Sequence, residues 1–533
     1  MGSVRSPDRS CPVSARILTP LILSLYCCTL PALAEETPEK WFAQGQEAVE
    51  TRLERLKEAP AKAKNVILFI GDGMGISTIT AARILAGQLA GEAGEENELF
   101  FETFPNSALS KTYNVNQQTP DSAGTMTAMA TGVKTNAALI SVNQYVRLGD
   151  CSSAEGNNLT TLLERAESAG LSTGIVSTAR LTHATPAANY SHSMHRNFED
   201  DGDAAAMSEV GNCIDIARQL VEFSALHPGS NGLEVALGGG RLNFLPKTEH
   251  ADPEDGVAGM RLDGRDLTAE WTERYPHSAY VWNQAQFDKI DVGHTEHLLG
   301  LFDGSHMEYE LDRERDKAGE PSLSEMTATA IRLLAKNPKG YYLNVEAGRI
   351  DHAHHATNPQ RALTDTIELA NAVRTAFEMT NPEETLIIVT ADHSHVMTLA
   401  GYPTRGNPIL GKVVGNDASG APKHEPEKAA DGLPYTTLGY INGVGYHMLE
   451  NEESADAVFA QPMNQTGRAD LTEVDTTAPG FHPETLVPIA NETHGGEDVA
   501  VYATGPGAEL VSGLMEQNVI YHIMAEALQL QDH

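Results

Sequence analysis

Five short apolar runs organise this chain: Asn65–Ile70, Ser172–Ser177, Tyr341–Val345, Leu386–Thr390 and Val499–Ala503. They are rich in Val and Ile and lack strict alternation, which reads as strands buried on both faces of a parallel sheet. Each borders a polar cluster. The first runs into Gly71-Asp72-Gly73, and the second into Arg180, His183 and Thr185. The third runs into Glu346 and then Asp351-His352-Ala353-His354-His355. The fourth meets Asp392-His393-Ser394-His395, and the fifth follows His494 and ends in Gly505-Pro506. Ligands of open α/β sheets bind outside the carboxyl ends of the strands. Metal-type donors gathered along one such edge predict a single polymetal site.

Between the runs the apolar spacing turns helical, over Thr78–Leu89, Thr125–Thr131, Thr160–Ala169, Ile214–Phe223, Leu323–Leu334 and Pro359–Met379. Strand and helix alternate to about residue 395, the pattern of an α/β, doubly wound, mostly parallel central sheet with helices on both faces. A further amphipathic helix is expected at about 38–58, with Trp41, Phe42, Val49 and Leu53 on one side. From about 401 to 492 the rhythm breaks into Gly, Pro, Asn and Asp, with a strand expected at Thr436–Tyr440. This stretch lies between two donor clusters and reads as an insertion into the sheet domain. Gly238-Gly239-Gly240-Arg241 lacks the spacing of a nucleotide-binding fingerprint and reads as a tight turn.

Composition narrows the class. The formal charge of −36 is spread along the chain, without the basic footprint of a nucleic-acid binder. Arg5, Arg9 and Arg16 precede the apolar stretch Ile17–Leu33, which Pro20 and Pro31 interrupt, and Ala32-Leu33-Ala34 fits a cleavage site. Residues 1–34 therefore read as a signal peptide and 35–533 as the mature protein, exported to the periplasm or secreted. Neither a membrane anchor nor a C-terminal lipid-anchor signal is expected. Only Cys151 and Cys213 follow the leader, and in an oxidising compartment they most simply form one disulfide. Sequons begin at Asn158, Asn189, Asn464 and Asn491. Two of them adjoin Thr185 and His494, where a glycan would crowd the site, which favours a bacterial source.

Ser122, within Asp121-Ser122-Ala123-Gly124-Thr125, opens a helix. Such a position suits phosphate at the positive helix end, and metal coordination is the expected activator of the hydroxyl. Asp351 and His355, four apart, share one helix face, and Asp392-His393 offers a second half-shell. An oxygen and nitrogen donor set without cysteine suits hydrolytic zinc, while Asp72, Thr185 and Glu346 suit magnesium. Arg196 can give phosphate two parallel hydrogen bonds.

Here the chain resembles the alkaline phosphatase family, through Asn65–Gly75, Asp121–Thr125, Glu346–His355, Thr390–His395 and Thr493–Tyr502. The resemblance covers essentially the whole mature sequence and implies a dimeric enzyme acting on phosphate monoesters with two zinc ions and one magnesium. It gives Asp351, His355 and His494 to the first zinc, and Asp72, Asp392, His393 and the Ser122 oxygen to the second. Asp72 also reaches the magnesium, with Thr185 and Glu346. It makes Ser122 the nucleophile, forming a phosphoserine that zinc-bound hydroxide hydrolyses. Arg196 holds the phosphate, Asp121 orients Arg196, and His395 lies near the first zinc. His183 and His352 match the animal-type branch. From that branch comes a calcium site on Glu254, Phe302 through its carbonyl, Asp303 and Glu320. The 401–492 insertion resembles the family's crown and the first helix its N-terminal arm, both dimer elements in relatives. The rival reading is a phosphodiesterase or sulfatase on the same metal-bearing sheet.

Overall fold

In the computed structural model, residues 36–56, 60–208, 213–248, 250–451 and 453–530 are described. The expected leader, 1–34, lies outside them. Residues from Thr37 onward form one compact unit. Its centre is a ten-stranded sheet: β1 (Asn65–Gly71), β2 (Asn106–Lys111), β3 (Ser172–Arg180), β4 (Val235–Gly239), β5 (Ser278–Val281), β6 (His297–Leu301), β7 (Tyr341–Ala347), β8 (Thr385–Ala391), β9 (Val499–Thr504) and β10 (Gly513–Glu516). Their spatial order is β10-β2-β9-β8-β1-β7-β3-β4-β6-β5.

β1, β7 and β8 form the middle of the sheet and are buried along their whole lengths. Successive β1 side chains enter opposite layers, as the pleat requires. Val66, Leu68 and Ile70 join one core with Met126, Leu163, Ala187 and Ile520. Ile67 and Phe69 join another with Ile79, Met326, Ile331 and Val373. Helices Ser122–Thr131, Leu162–Ala169, Ala184–Tyr190 and Val519–Leu528 contribute to the first layer. Helices Ile76–Leu89, Leu323–Leu334 and Pro359–Met379 contribute to the second. Local signals set these helices. Ser322 and Glu325 form a capping box, Asn358 caps a helix with Pro359 in its first turn, and Gly132 ends one at φ 77°.

The fifth apolar run departs from the expected parallel pattern. β9 pairs antiparallel with both β8 and β2. An antiparallel strand begins where its parallel neighbour ends, so His494, which precedes β9, still arrives at the shared carboxyl edge. The 401–492 stretch supplies two strands, Leu438–Gly443 and Thr485–Pro488, of a small sheet that Met397–Leu399, just before it, completes. Its middle strand begins two residues later than expected. The first helix, Pro38–Arg55, buries Trp41 and Val49 and lays Phe42 against His522 of the last helix, ring centroids 4.7 Å apart. Cys151 and Cys213 form a disulfide with Cα atoms 5.5 Å apart. Among the described residues no helix is long and apolar enough to cross a membrane.

Candidate metal and catalytic site

Strand register brings the donors together. Gly71, the last residue of β1, lies opposite Ala347 on β7 and Ala391 on β8. Asp72 and Asp392 therefore leave neighbouring strands side by side, while Glu346 sits within β7 beside Ser177 of β3. The short helix Arg349–His355 follows β7 and turns Asp351 and His355 to one face. His494 pairs with His395 in a two-residue ladder that closes the edge. Gly73, at φ 70°, lets the chain pass beneath this ladder, since a Cβ there would lie 2.4 Å from the His395 ring.

Two donor sets emerge, and their edge lengths carry the argument. His355 Nε2 and His494 Nε2 are 3.2 Å apart, and each lies 3.4 Å from Asp351 Oδ1. In the second set His393 Nε2 lies 3.4 Å from Asp72 Oδ1, 3.2 Å from Asp392 Oδ2 and 3.0 Å from Ser122 Oγ. Ser122 Oγ is 3.5 Å from Asp72 Oδ1. A tetrahedron of zinc–ligand bonds near 2.05 Å has edges of about 3.3 Å. Both sets match that size. Carbonyls behind the rings fix the tautomers: His355 Nδ1 donates to Glu492 O at 2.6 Å and His494 Nδ1 to Pro120 O at 2.7 Å. Each Nε2 lone pair is thereby free to face a cation.

The third group is harder and oxygen-rich. Asp72 Oδ2, Thr185 Oγ1 and Glu346 Oε1 are buried and have no hydrogen-bond partner among the described residues, and neither does His183 Nδ1. The other oxygen of Glu346 is held by Ser177. Orphaned buried oxygens call for an explanation, and a divalent cation supplies one. The electrostatics agree. Burial and the nearby Asp392, Asp351 and Glu346 raise the Asp72 carboxyl, and burial raises Glu346 to about 7. So many carboxylates stay ionised in a dry pocket only with cations among them.

Around these donors lie the remaining predicted residues. Ser122 begins its helix, and Asp121 caps it by accepting from Gly124 N–H at 3.2 Å. Asp121 also accepts from Ala138 N–H and, through Oδ2, from Arg196 at 3.2 Å. The other side of that guanidinium meets His183 Nε2 at 2.9 Å. His352 packs near His183, ring centroids 5.5 Å apart. His395 differs from its neighbours because both its nitrogens face carboxylates: Nε2 meets Asp351 at 2.7 Å and Nδ1 meets Glu492. Burial opposes its charge, yet Glu492 and Asp351 outweigh burial and push it up to about 10. Its ring thus bridges Asp351 and Glu492.

Sequence reasoning missed three residues here. Glu492 ties His395, the Val396 amide and, through its carbonyl, His355 into one frame. Ser177 holds Glu346, and His306 packs on His352 at 4.0 Å between ring centroids. Glu492 lies within the predicted 401–492 insertion, and only its position two residues before His494 could have flagged it.

In the expected calcium region Glu254 accepts from Arg241 at 2.6 Å, and Asp303 accepts the Ser305 amide at 2.6 Å. Glu320 takes the Glu308 amide with one oxygen, and its other oxygen is buried with no hydrogen-bond partner among the described residues. Asp316, absent from the expectation, adds its charge to Glu254 and Glu320. Phe302, buried, directly follows β6 and precedes Asp303.

An open α/β sheet with two zinc-sized donor sets and a serine oxygen at one vertex defines a metal-dependent hydrolase. The alkaline phosphatase family description matches residues 63–530. The chain is 43% identical to the tissue-nonspecific alkaline phosphatase isozyme of Gallus gallus over 521 residues, covering 97% of this chain and 94% of that one. It is 41% identical to the Homo sapiens isozyme over 516 residues, covering 95% and 92%. Among solved structures it resembles the Thermus thermophilus alkaline phosphatase, with a TM-score of 0.61 at 25% identity over 89% of this chain and 93% of that one. The fold also matches alkaline phosphatase from the Antarctic bacterium TAB5, with a TM-score of 0.56 at 22% identity over 88% and 100%. The chain belongs to the alkaline phosphatase family and is a metal-dependent phosphomonoesterase.

Proposed function

We propose that Ser122 is the nucleophile and that hydrolysis runs through a phosphoserine. The observation that supports this most directly is the place of Ser122 Oγ in a donor set of zinc size. Asp351, His355 and His494 would hold one zinc ion, and Asp72, Asp392, His393 and Ser122 a second. Asp72, Thr185 and Glu346 would hold magnesium through their unpartnered oxygens. When bound, the cations offset negative charge on the attacking and leaving oxygens. Ser122 Oγ loses its proton and bonds to phosphorus as the ester oxygen leaves and takes up a proton; water then cleaves the serine–phosphate bond, restoring the proton to Oγ and releasing inorganic phosphate. Asp121 and His183 hold Arg196 from two sides, so its guanidinium meets two phosphate oxygens in a fixed plane. Ser122→Ala should lower kcat roughly 10³-fold or more while keeping the zinc content and losing acid-stable phosphate labelling. Equal turnover in the variant would remove Ser122 from this role.

The same reading makes the protein an exported homodimer cleaved after Ala34, with 401–492 as its crown. The disulfide supports an oxidising compartment. Exposed Tyr402, Leu486 and Val487 in that stretch support a contact face. Asn189 supports a bacterial source. Its side chain is buried and bonded to Asn344 and Tyr342, so this sequon has no room for a glycan. A calcium ion among Glu254, Asp303, Glu320, the Phe302 carbonyl and Asp316 is supported by the unpaired oxygens of Glu320 and Asp316. Metal analysis after dialysis and sedimentation velocity test these assignments.

A further inference from the structure

Apart from the catalytic cluster, Glu164, His192 and His227 bring one donor atom each within 4.8 Å of one another. Glu164 stands on the helix Leu162–Ala169, where its Oε2 accepts the Thr161 amide at 2.7 Å. That leaves Oε1 facing two imidazoles, His192 Nε2 at 2.8 Å and His227 Nδ1 at 3.0 Å. The Ser141 carbonyl meets His192 Nδ1 at 2.8 Å. A carbonyl only accepts, so the neutral ring carries its proton on Nδ1 and turns its Nε2 lone pair toward a carboxylate oxygen. Such a contact needs a cation between the two atoms, a proton or a metal. A second imidazole converges on the same oxygen, which gathers two ring nitrogens and a carboxylate at one point. His227 is held for that approach by stacking on buried Phe223, ring centroids 4.3 Å apart.

We propose that Glu164, His192 and His227 form a divalent-metal site of the zinc class, independent of the catalytic ions, that clamps the far end of the helix bearing Thr185. Two imidazoles and one carboxylate are an established zinc donor set, with a fourth position left for water. Solvent reaches it past the His227 side chain, which is 25% exposed. The Ser141 carbonyl behind His192 supplies the outer partner that orients a ligating imidazole. The structural consequence follows from position. His192 lies two residues beyond the helix Ala184–Tyr190, whose first turn carries Thr185. Ser141 Oγ donates to Ala188 O at 2.6 Å and Thr161 Oγ1 to Asn189 O at 2.7 Å. A metal here would join the same segments that already hold that helix end. Zinc entering the protonated site releases the proton between His192 and Glu164, so uptake is proton-coupled.

The test compares wild type with His227→Ala, each purified as holoenzyme and equilibrated with the same buffered free zinc. Wild type is expected to hold one more zinc per chain, by mass spectrometry of the metals, with kcat the same in both. Cobalt added in place of the extra zinc should give a visible d–d band in wild type that the variant lacks. Should His227→Ala fail to fold, Glu164→Gln, which keeps an oxygen for the Thr161 amide, takes its place. Equal zinc content in wild type and the folded variant overturns the proposal and leaves a hydrogen-bonded ion pair only.

Discussion

Replacing Glu492 with alanine should loosen half of the catalytic site without removing a metal donor. The carboxylate is fully buried. One oxygen pairs with His395 Nδ1, and the other accepts the Val396 N–H at 2.7 Å. Alanine keeps the backbone carbonyl that orients His355 but removes both carboxylate contacts. Two buried donors then lose their partner, at about 1–3 kcal/mol each. The sum, about 2–6 kcal/mol, brackets the roughly 3–5 kcal/mol lost when one partner of a buried ion pair is removed. About 4 kcal/mol is a large part of the 5–15 kcal/mol on the order of which folded domains depend. The site feels the loss too, because His395 keeps only Asp351 as a counter-charge and falls from about 10. Outer partners of metal ligands commonly change affinity about 10–100-fold. Urea unfolding in excess chelator reads the folding cost with the metals removed, and zinc titration against a competing chelator reads the site. Glu492→Gln keeps the Val396 contact and should recover about half of the stability loss. A Glu492→Ala protein with the wild-type urea midpoint and an unchanged zinc competition curve would refute the frame described for this residue.

Arg196→Ala removes charge-assisted bonds of about 1.5–3 kcal/mol, so the inhibition constant for inorganic phosphate should rise roughly 10–100-fold, with Arg196→Lys recovering only part. The Cys151–Cys213 bridge closes a separation of 62 residues. Chain entropy then predicts that Cys213→Ser costs about 4 kcal/mol, read as a lower urea midpoint with kcat intact at low temperature. Burial and the neighbouring Glu234 raise Glu167 from an ordinary 4.5 to about 7. The folded chain therefore holds the proton more tightly than the unfolded one, and stability falls as pH climbs from about 4.5 through about 7. Glu167→Gln should be more stable than wild type by on the order of 3 kcal/mol at pH 8, with the advantage gone at pH 4, in paired urea titrations.

The middle of the sheet was legible because β1, β7 and β8 are continuous apolar runs, and such runs have few other uses. The direction of β9 was not. An apolar run reads the same both ways, and the reversal of β9 rests on its pairing with β8 and β2. The candidate donors were legible as residue types beside strand ends. Which histidine does what was not, because that depends on the atom behind each ring. His355 and His494 have carbonyls at Nδ1, from Glu492 and Pro120, and so present bare Nε2 lone pairs. His395 instead lies between two carboxylates, with no carbonyl at either nitrogen. His354, next to His355 in the chain, is spent on the hydroxyls of Thr78 and Tyr440. Those partners lie 86 to 276 residues away in sequence for His354 and 137 for His355. A motif can therefore announce a cluster of imidazoles, but long-range packing decides what each ring nitrogen meets.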